Sequence, residues 1–408
     1  MGLRVSHYAQ VSTMPQSVSP AEKSPEAFQA RKVATISLTH WIHDTYTAFL
    51  PPLLPEFITK LDLSNTGAGT LSVFLQLPSL LQPLLGYLGD RRDLRWLIVL
   101  APAVTAVTMS LLGIAPNYAL LALLLATAGA SSAAFHAVVP VLVGQLSGKR
   151  LGFSMGLWMV GGELGRAFGP LIVVSAVKWL GLEGTPWLML AGLLATALVA
   201  SRLRGLPVIA ARRAESEQRP RLGWHRLQRL LLPLIGFMTI RAFVLAALTT
   251  YLPIYMTDTG ADLWLAGVAL TVLEVAGVVG AFLSGGLSDR LGRRRMLMGA
   301  VLCTSVLMFI FVYSAGWVQF PLLLAMGFFA ISITPVVMAL VQESAPDNRA
   351  LINGIYMALN FGIRSLIIIV VGMLGDWLGM RNTFLVSAGL ALLAIPCAYW
   401  LPERRVTG

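Results

Sequence analysis

The chain has 408 residues, 56% of them hydrophobic and only 12% charged, with a formal net charge of +11. Soluble domains carry about a quarter charged residues, so this composition excludes an ordinary water-soluble enzyme, and 2 cysteines exclude a disulfide framework. No basic-aromatic module accompanies the positive charge, which argues against a nucleic-acid partner.

The apolar residues fall into runs of about 20, the length that crosses ~30 Å of hydrocarbon as a helix. Backbone groups in lipid must bond within their own segment, so the runs read as helices. In chain order, residues 1–31 are polar, lack a signal-peptide core and read as a disordered cytoplasmic tail. Six runs follow at 33–57, 66–89, 96–115, 118–146, 151–180 and 187–203. A hydrophilic stretch, 204–229, reads as a linker, and six more runs follow at 230–256, 263–288, 296–315, 320–342, 351–375 and 383–401. The expected fold is an all-α membrane protein with 12 transmembrane helices in two pseudo-symmetric six-helix bundles, 32–203 and 230–402. Cys303 and Cys397 lie in separate runs and read as packing residues.

Arginine and lysine crowd the tail, the linker and alternate loops, whereas the opposite loops hold only Lys60, Lys178 and Arg381. By the positive-inside rule both termini are expected in the cytoplasm of a bacterial inner membrane.

A pattern Gly-x-Leu-x-Asp-Arg occurs twice, at Gly86 to Arg91 and at Gly285 to Arg290, 199 positions apart. Each copy closes an apolar run and opens a basic loop. Gly86 and Gly285 leave room for a neighbouring helix to approach. Asp90 and Asp289 stand at the membrane boundary, where a carboxylate pairs with arginine or caps a helix. The second copy continues Leu291-Gly292-Arg293-Arg294, whereas Asp93 stands where the first would have its second glycine.

With twelve runs in two halves and this repeated loop, the chain resembles the major facilitator superfamily from about residue 33 to 401. The resemblance implies that Gly86, Asp90, Arg91, Gly285, Asp289, Arg290, Gly292 and Arg293 latch one state of an alternating-access cycle. In the fifth run, Gly156, Gly165, Gly169 and Pro170 resemble that family's antiporter motif, with Val173 and Val174 where two glycines would close it. The motif implies a proline-kinked helix between the halves (Gly165, Gly169, Pro170) and export against proton entry. His40-x3-Asp44, Phe135-His136 and Gly161-Gly162-x-x-Gly165 are similar to the fosmidomycin-resistance branch of drug exporters. Ala137, Glu163 and Arg166 depart from that branch's pattern.

Ionisable groups inside a bilayer are costly and mark transport pathways. Asp44, Glu163 and Glu274 stand against Arg166, Arg241 and Arg364, with His40, His43 and His136, most of them near mid-run. At ~1.5 Å per residue Asp44 is about 17 Å along the first run. His40 and Asp44 share one helix face, and Glu163 and Arg166 can pair at i,i+3. Arg166 and Arg364 are 198 positions apart and Asp44 and Arg241 are 197 apart, so each pair occupies matched positions of the two halves. The family fold implies Asp44, His136 and Arg241 on a central cavity, with Glu163, Arg166, Glu274 and Arg364 nearer the seam.

These groups predict a proton-coupled exporter of small organic compounds, anionic or zwitterionic ones favoured, driven by the proton gradient without a cofactor. Proton coupling is expected from Asp44, His136, Glu163 and Glu274. Substrate contacts are expected from His40, His43, Asp44, His136, Arg166, Arg241, Asn360 and Arg364, the guanidinium fork suiting a carboxylate or phosphonate. The expected partners are a small-molecule substrate and the lipid bilayer, around a monomer without a metal. An uptake symporter for an organic acid is the second reading. An enzyme or sensor is disfavoured, because the chain has no P-loop and no His-x3-His pair.

Overall fold

A computed structural model describes residues 28–89, 94, 96–203, 224–344 and 349–401. Among these the chain is helical, without strands. The helices are α1 (Ala30–Thr47), α2 (Leu50–Leu61), α3 (Asn65–Gln76), α4 (Gln82–Gly89), α5 (Leu97–Ser110), α6 (Tyr118–Leu146), α7 (Leu151–Leu180) and α8 (Leu188–Arg202). The second series is α9 (Trp224–Ala246), α10 (Leu252–Asp258), α11 (Leu263–Leu291), α12 (Arg293–Tyr313), α13 (Gln319–Ser344), α14 (Arg349–Leu378), α15 (Met380–Ala391) and α16 (Ala394–Trp400). Several starts are capped by side chains that satisfy a free N–H of the first turn. Ser64 accepts from Gly67, Asn117 from Leu120 and Asp262 from Leu265.

Among the described residues, eleven helical stretches are long and apolar enough to cross a membrane. The expected first span is not among them as a single run, because α1 and α2 are parted at Ala48 and Phe49. Pro51 and Pro52 follow that break, and proline has no N–H to continue the ladder. The matched span of the second half is interrupted at the matched place. There a π-helical turn, Ala247–Tyr251, joins α9 to α10 just before Pro253. Such turns widen the helix and present side chains at functional positions.

The outer faces carry exposed Trp179, Trp187, Phe282, Trp317, Trp377 and Trp400. A water-soluble surface would not tolerate so many; in a membrane these faces meet lipid, with tryptophan near the span ends. Inside, α1 packs against α5, α6, α7 and α8, while α11 packs on α13 and α9 on α14, α15 and α16. The two series meet along α7 with α11 and along α3 with α14.

That seam is tied at one end. Asp376 of α14 accepts from the N–H groups of Asn65 and Thr66 (2.6 and 3.0 Å) and from Thr66 Oγ1 (2.6 Å), capping the start of α3. Tyr251 donates to the Ile368 carbonyl at 2.7 Å, and a Cβ on Gly69 or Gly372 would strike its hydroxyl. Trp264 donates to Ser175 at 3.2 Å beneath the Lys178 ammonium. Toward the other end, a Cβ on Gly86, Gly285, Gly286 or Gly354 would meet nothing within 4 Å among the described residues. The close approach expected at Gly86 and Gly285 is therefore absent in this arrangement, and the tight glycine contacts are made at other depths.

Candidate functional site

The glycines of α7 build the site by letting α1 lie against its backbone. A Cβ at Gly161 would sit 2.3 Å from the Ser37 carbonyl oxygen, one at Gly165 2.4 Å from that of Trp41, and one at Gly169 2.4 Å from that of Thr45. Gly162 lies under the His40 ring, 2.3 Å from a would-be Cβ. Pro170 lies within α7, which runs without interruption. Where the antiporter motif would end in glycines, Val174 packs on Gly267 of α11, so the small residue of that contact has moved to the opposite helix.

This packing turns one face of α1 toward α6. His40 Nε2 lies 3.3 Å from Asp44 Oδ2 and 3.1 Å from His136 Nε2. His136 Nε2 is 3.8 Å from Asp44 Oδ1, and His43 Nε2 is 4.0 Å from the same oxygen. His40 stacks on Trp158 of α7 (4.1 Å, 19°) and His43 on Phe135 of α6 (4.6 Å, 18°). The Asp44 side chain is 10% exposed and that of His136 27%, so the histidine is the cluster's contact with open space. His40, His43, Asp44 and His136 are thus brought together as expected. Phe135 stood in the Phe-His pattern of the branch resemblance, but Trp158 and Ser132 were not foreseen as contacts of the cluster, since an aromatic or serine residue in an apolar run carries no sequence signal of its own.

A second group lies along the seam. Glu163 pairs with Arg166, and both are partly open, 26% and 42% exposed. Arg166 lies within Coulombic range of Glu274 on α11 as well as of Asp44 and His136. Glu274 faces both Arg166 and Arg364 electrostatically, with no hydrogen bond or ion pair of its own among the described residues. Arg364 of α14 donates to Thr249 Oγ1 at 3.0 Å, a hydroxyl presented by the π-helical turn. Asn360 lies one turn before Arg364 on the same helix and is partly buried. Thr249 was invisible to sequence reasoning, because only the helical irregularity aims it.

Arg241 is held within the second series. Its guanidinium donates to Thr334 Oγ1 (2.6 Å) and to the Ala330 carbonyl (3.3 Å). It lines a pocket walled by α9, α12, α13, α15 and α16, all of the second series, and lies within Coulombic range of Arg364. Its neighbour Thr334, one turn along from Ala330 on α13, pulls the guanidinium inward.

In the family loop, Gly292 ends α11 with a φ of 90°, the left-handed conformation that glycine adopts without strain. Asp289 pairs with Arg293 at 2.5 Å, and Arg293 reaches Glu343 of α13 at 2.9 Å while also meeting Ser288. These contacts stay within the second series, and Arg290 is exposed. Asp90 and Arg91 of the first copy lie outside the described residues.

Comparison with known proteins agrees with this architecture. The profile of the Major Facilitator Superfamily matches residues 36–367 and, again, 278–408. The fosmidomycin resistance protein of Escherichia coli K12 is 24% identical over 405 residues, covering 97% of this chain and 99% of that protein. The multidrug resistance protein MdtG of Serratia proteamaculans is 24% identical, covering 88% and 91%. Among solved structures, a bacterial homologue of the human lysosomal transporter Spinster, inward-facing and occupied, superposes with a TM-score of 0.78 at 12% identity, covering 92% of this chain and 97% of that one. A D-xylose–proton symporter superposes at 0.70 with 17% identity, covering 92% and 99%.

Proposed function

The chain belongs to the Major Facilitator Superfamily, a family of membrane transporters and not of enzymes, and on that premise we propose that it exports small organic compounds carrying both an acid group and a hydrogen-bond donor, zwitterions among them, in exchange for protons. The observation that carries this reading is Glu274, a carboxylate near mid-span without a hydrogen-bond partner among the described residues, facing Arg166 across the seam and Arg364 within its own series. Ionisable groups at the midplane between repeats are where transporters bind cargo and coupling ions.

The coupling follows from electrostatics. Arg364 and Arg166 offer guanidinium forks to a carboxylate or phosphonate. Ionised Glu274 then accepts from an ammonium, amide or hydroxyl on the same molecule. A proton on Glu274 removes that partner, so proton and substrate exclude each other, which is the requirement for exchange. A purely anionic substrate does the opposite: its charge favours the protonated acid, and proton and substrate travel together as in uptake. Asp44 is a weaker candidate for the carrier, because its carboxylate is buried among three imidazoles, whereas Glu274 is only partly enclosed. The seam, tied at the Asp376 end and without close glycine contacts at the family loop, corresponds to a state open toward the cytoplasm if the basic loops face inward.

The names of two relatives, fosmidomycin resistance and multidrug resistance, support drug-like organic cargo. The test is growth of an exporter-deficient bacterium expressing this chain across a panel of antibiotics that includes fosmidomycin. Protection confined to compounds with an acid group, and lost with Arg364→Ala and Glu274→Gln, supports the reading. Protection against none of them, or protection that survives both variants, overturns it.

A further inference from the structure

We propose that His40, Asp44 and His136 form a binding site for a late first-row divalent metal ion, of which Zn²⁺ is the type. The argument begins with the ring tautomers. His40 Nδ1 lies 2.8 Å from the Trp158 carbonyl, and His136 Nδ1 lies 2.9 Å from the Ser132 carbonyl. A carbonyl oxygen only accepts, so on each ring Nδ1 carries the hydrogen. A neutral imidazole has one N–H, so both Nε2 atoms present bare lone pairs.

Those lone pairs face each other at 3.1 Å, with the Asp44 carboxylate 3.3 Å from one and 3.8 Å from the other. Asp44 Oδ1 is buried with no hydrogen-bond donor. Three acceptors pointing at one another in a region shielded from water repel unless a cation stands between them. Zinc binds imidazole at ~2.0–2.1 Å and carboxylate at ~2.0–2.2 Å in a tetrahedron, whose edges are then about 3.3 Å. The observed separations scatter around that edge.

The surroundings match a metal site in other respects. Each ligating imidazole donates its second nitrogen to a backbone carbonyl, the outer-shell contact that fixes ring orientation in metal sites. Stacking of His40 on Trp158, and the glycine-lined crossing beneath it, hold the ring in place. Two imidazoles and a carboxylate select zinc, cobalt or nickel over magnesium or calcium, which favour oxygen ligands. His136 is the partly exposed ligand, so the fourth position is accessible to solvent, and water or an acidic substrate group completes the shell. Arg166 lies within Coulombic range of Asp44 and opposes a cation, but its charge is offset by its pairing with Glu163. Sequence spacing hid this set, because His136 stands 96 positions from His40.

The site is tested by metal binding to the intact chain, purified without a histidine tag in detergent and stripped with chelator. Co²⁺ is expected to give the intense visible absorption of a tetrahedral cobalt site, at one ion per chain, displaced by Zn²⁺ and not by Mg²⁺. Asp44→Asn, which preserves shape, and His136→Ala should each weaken Zn²⁺ binding by more than the ~10–100-fold typical of losing an outer-shell partner. A metal-free chain that stays metal-free with excess Co²⁺ and Zn²⁺, holding a proton only, overturns the proposal. So does binding that persists undiminished in both variants. Because the readout is binding and not transport, its failure leaves the exchange reading of Glu274 standing.

Discussion

The two halves place ionisable groups at matched positions but surround them differently, and at one pair, Asp44 and Arg241, the charge is reversed. In the first half, α1 and α6 bring three histidines and Asp44 into one enclosed knot whose members contact one another. In the second, Arg241 stands at the position matching Asp44, and Arg364 at the position matching Arg166; both hydrogen-bond to threonine hydroxyls. The duplicated scaffold therefore kept an arginine at one matched pair and exchanged a carboxylate for an arginine at the other. Glu274 and the Glu163–Arg166 pair lie along the seam, where a proton and a charged solute can influence each other.

The sharpest way to break this comparison is to neutralise the acid on the seam. Glu274→Gln is expected to lower pH-gradient-driven transport in everted vesicles by about 100-fold or more, the scale of losing an interaction that only coupling uses. Asp44→Asn should slow transport yet keep its proton stoichiometry. If Asp44→Asn uncouples the cycle and Glu274→Gln does not, the roles of the two halves are reversed. Next in size are the two arginines. Arg364→Ala should weaken binding of an acidic substrate by about 10- to 100-fold, as loss of a charge-assisted hydrogen bond implies. Arg241→Ala, whose guanidinium is held by Thr334 and the Ala330 carbonyl, should weaken it by less, measured by the concentration dependence of transport. Equal losses would show that both arginines share one site.

Packing offers a third contrast. Gly165→Val drives a side chain into the α1 backbone and should cost about 2–3 kcal/mol in thermal unfolding. Gly285→Ala meets open space and should change stability by less than about 0.5 kcal/mol. A large cost at Gly285 would mean that the family-loop end closes in the prevailing state. An effect smaller than that at Gly165 is expected at the tie itself. Asp376 is exposed, so solvent screening leaves its capping of α3 worth about 1 kcal/mol. Asp376→Asn should then shift the balance of open and closed states about 5-fold, read by distances between spin labels across that end.

Much of this was legible in the chain. Run lengths, loop charges and the repeated Gly-x-Leu-x-Asp-Arg specified the helical membrane fold, because lipid imposes length and hydropathy on each segment separately. His40 and Asp44 were readable as a pair because helical spacing is local. The capping of α3 by Asp376 was not, since it joins residues more than 300 positions apart and an aspartate at a helix end has many ordinary uses. The inward turn of Arg241 depends on Thr334 lying one turn beyond Ala330, a tertiary detail that no period reveals. The same holds for the glycines. Their role as contact points was foreseen, but which of them met a neighbour depended on where along their lengths the helices cross.

The central claim is exchange of solute for protons through Glu274, and proton movement measures it most directly. Purified chain is placed in liposomes that enclose a pH dye, and a zwitterionic compound identified by the growth panel is added outside without an imposed gradient. Entry of the compound should drive protons outward, raising internal pH, and Glu274→Gln should abolish that signal while substrate binding persists. Protons entering together with the compound, or an unchanged signal in the variant, would contradict it.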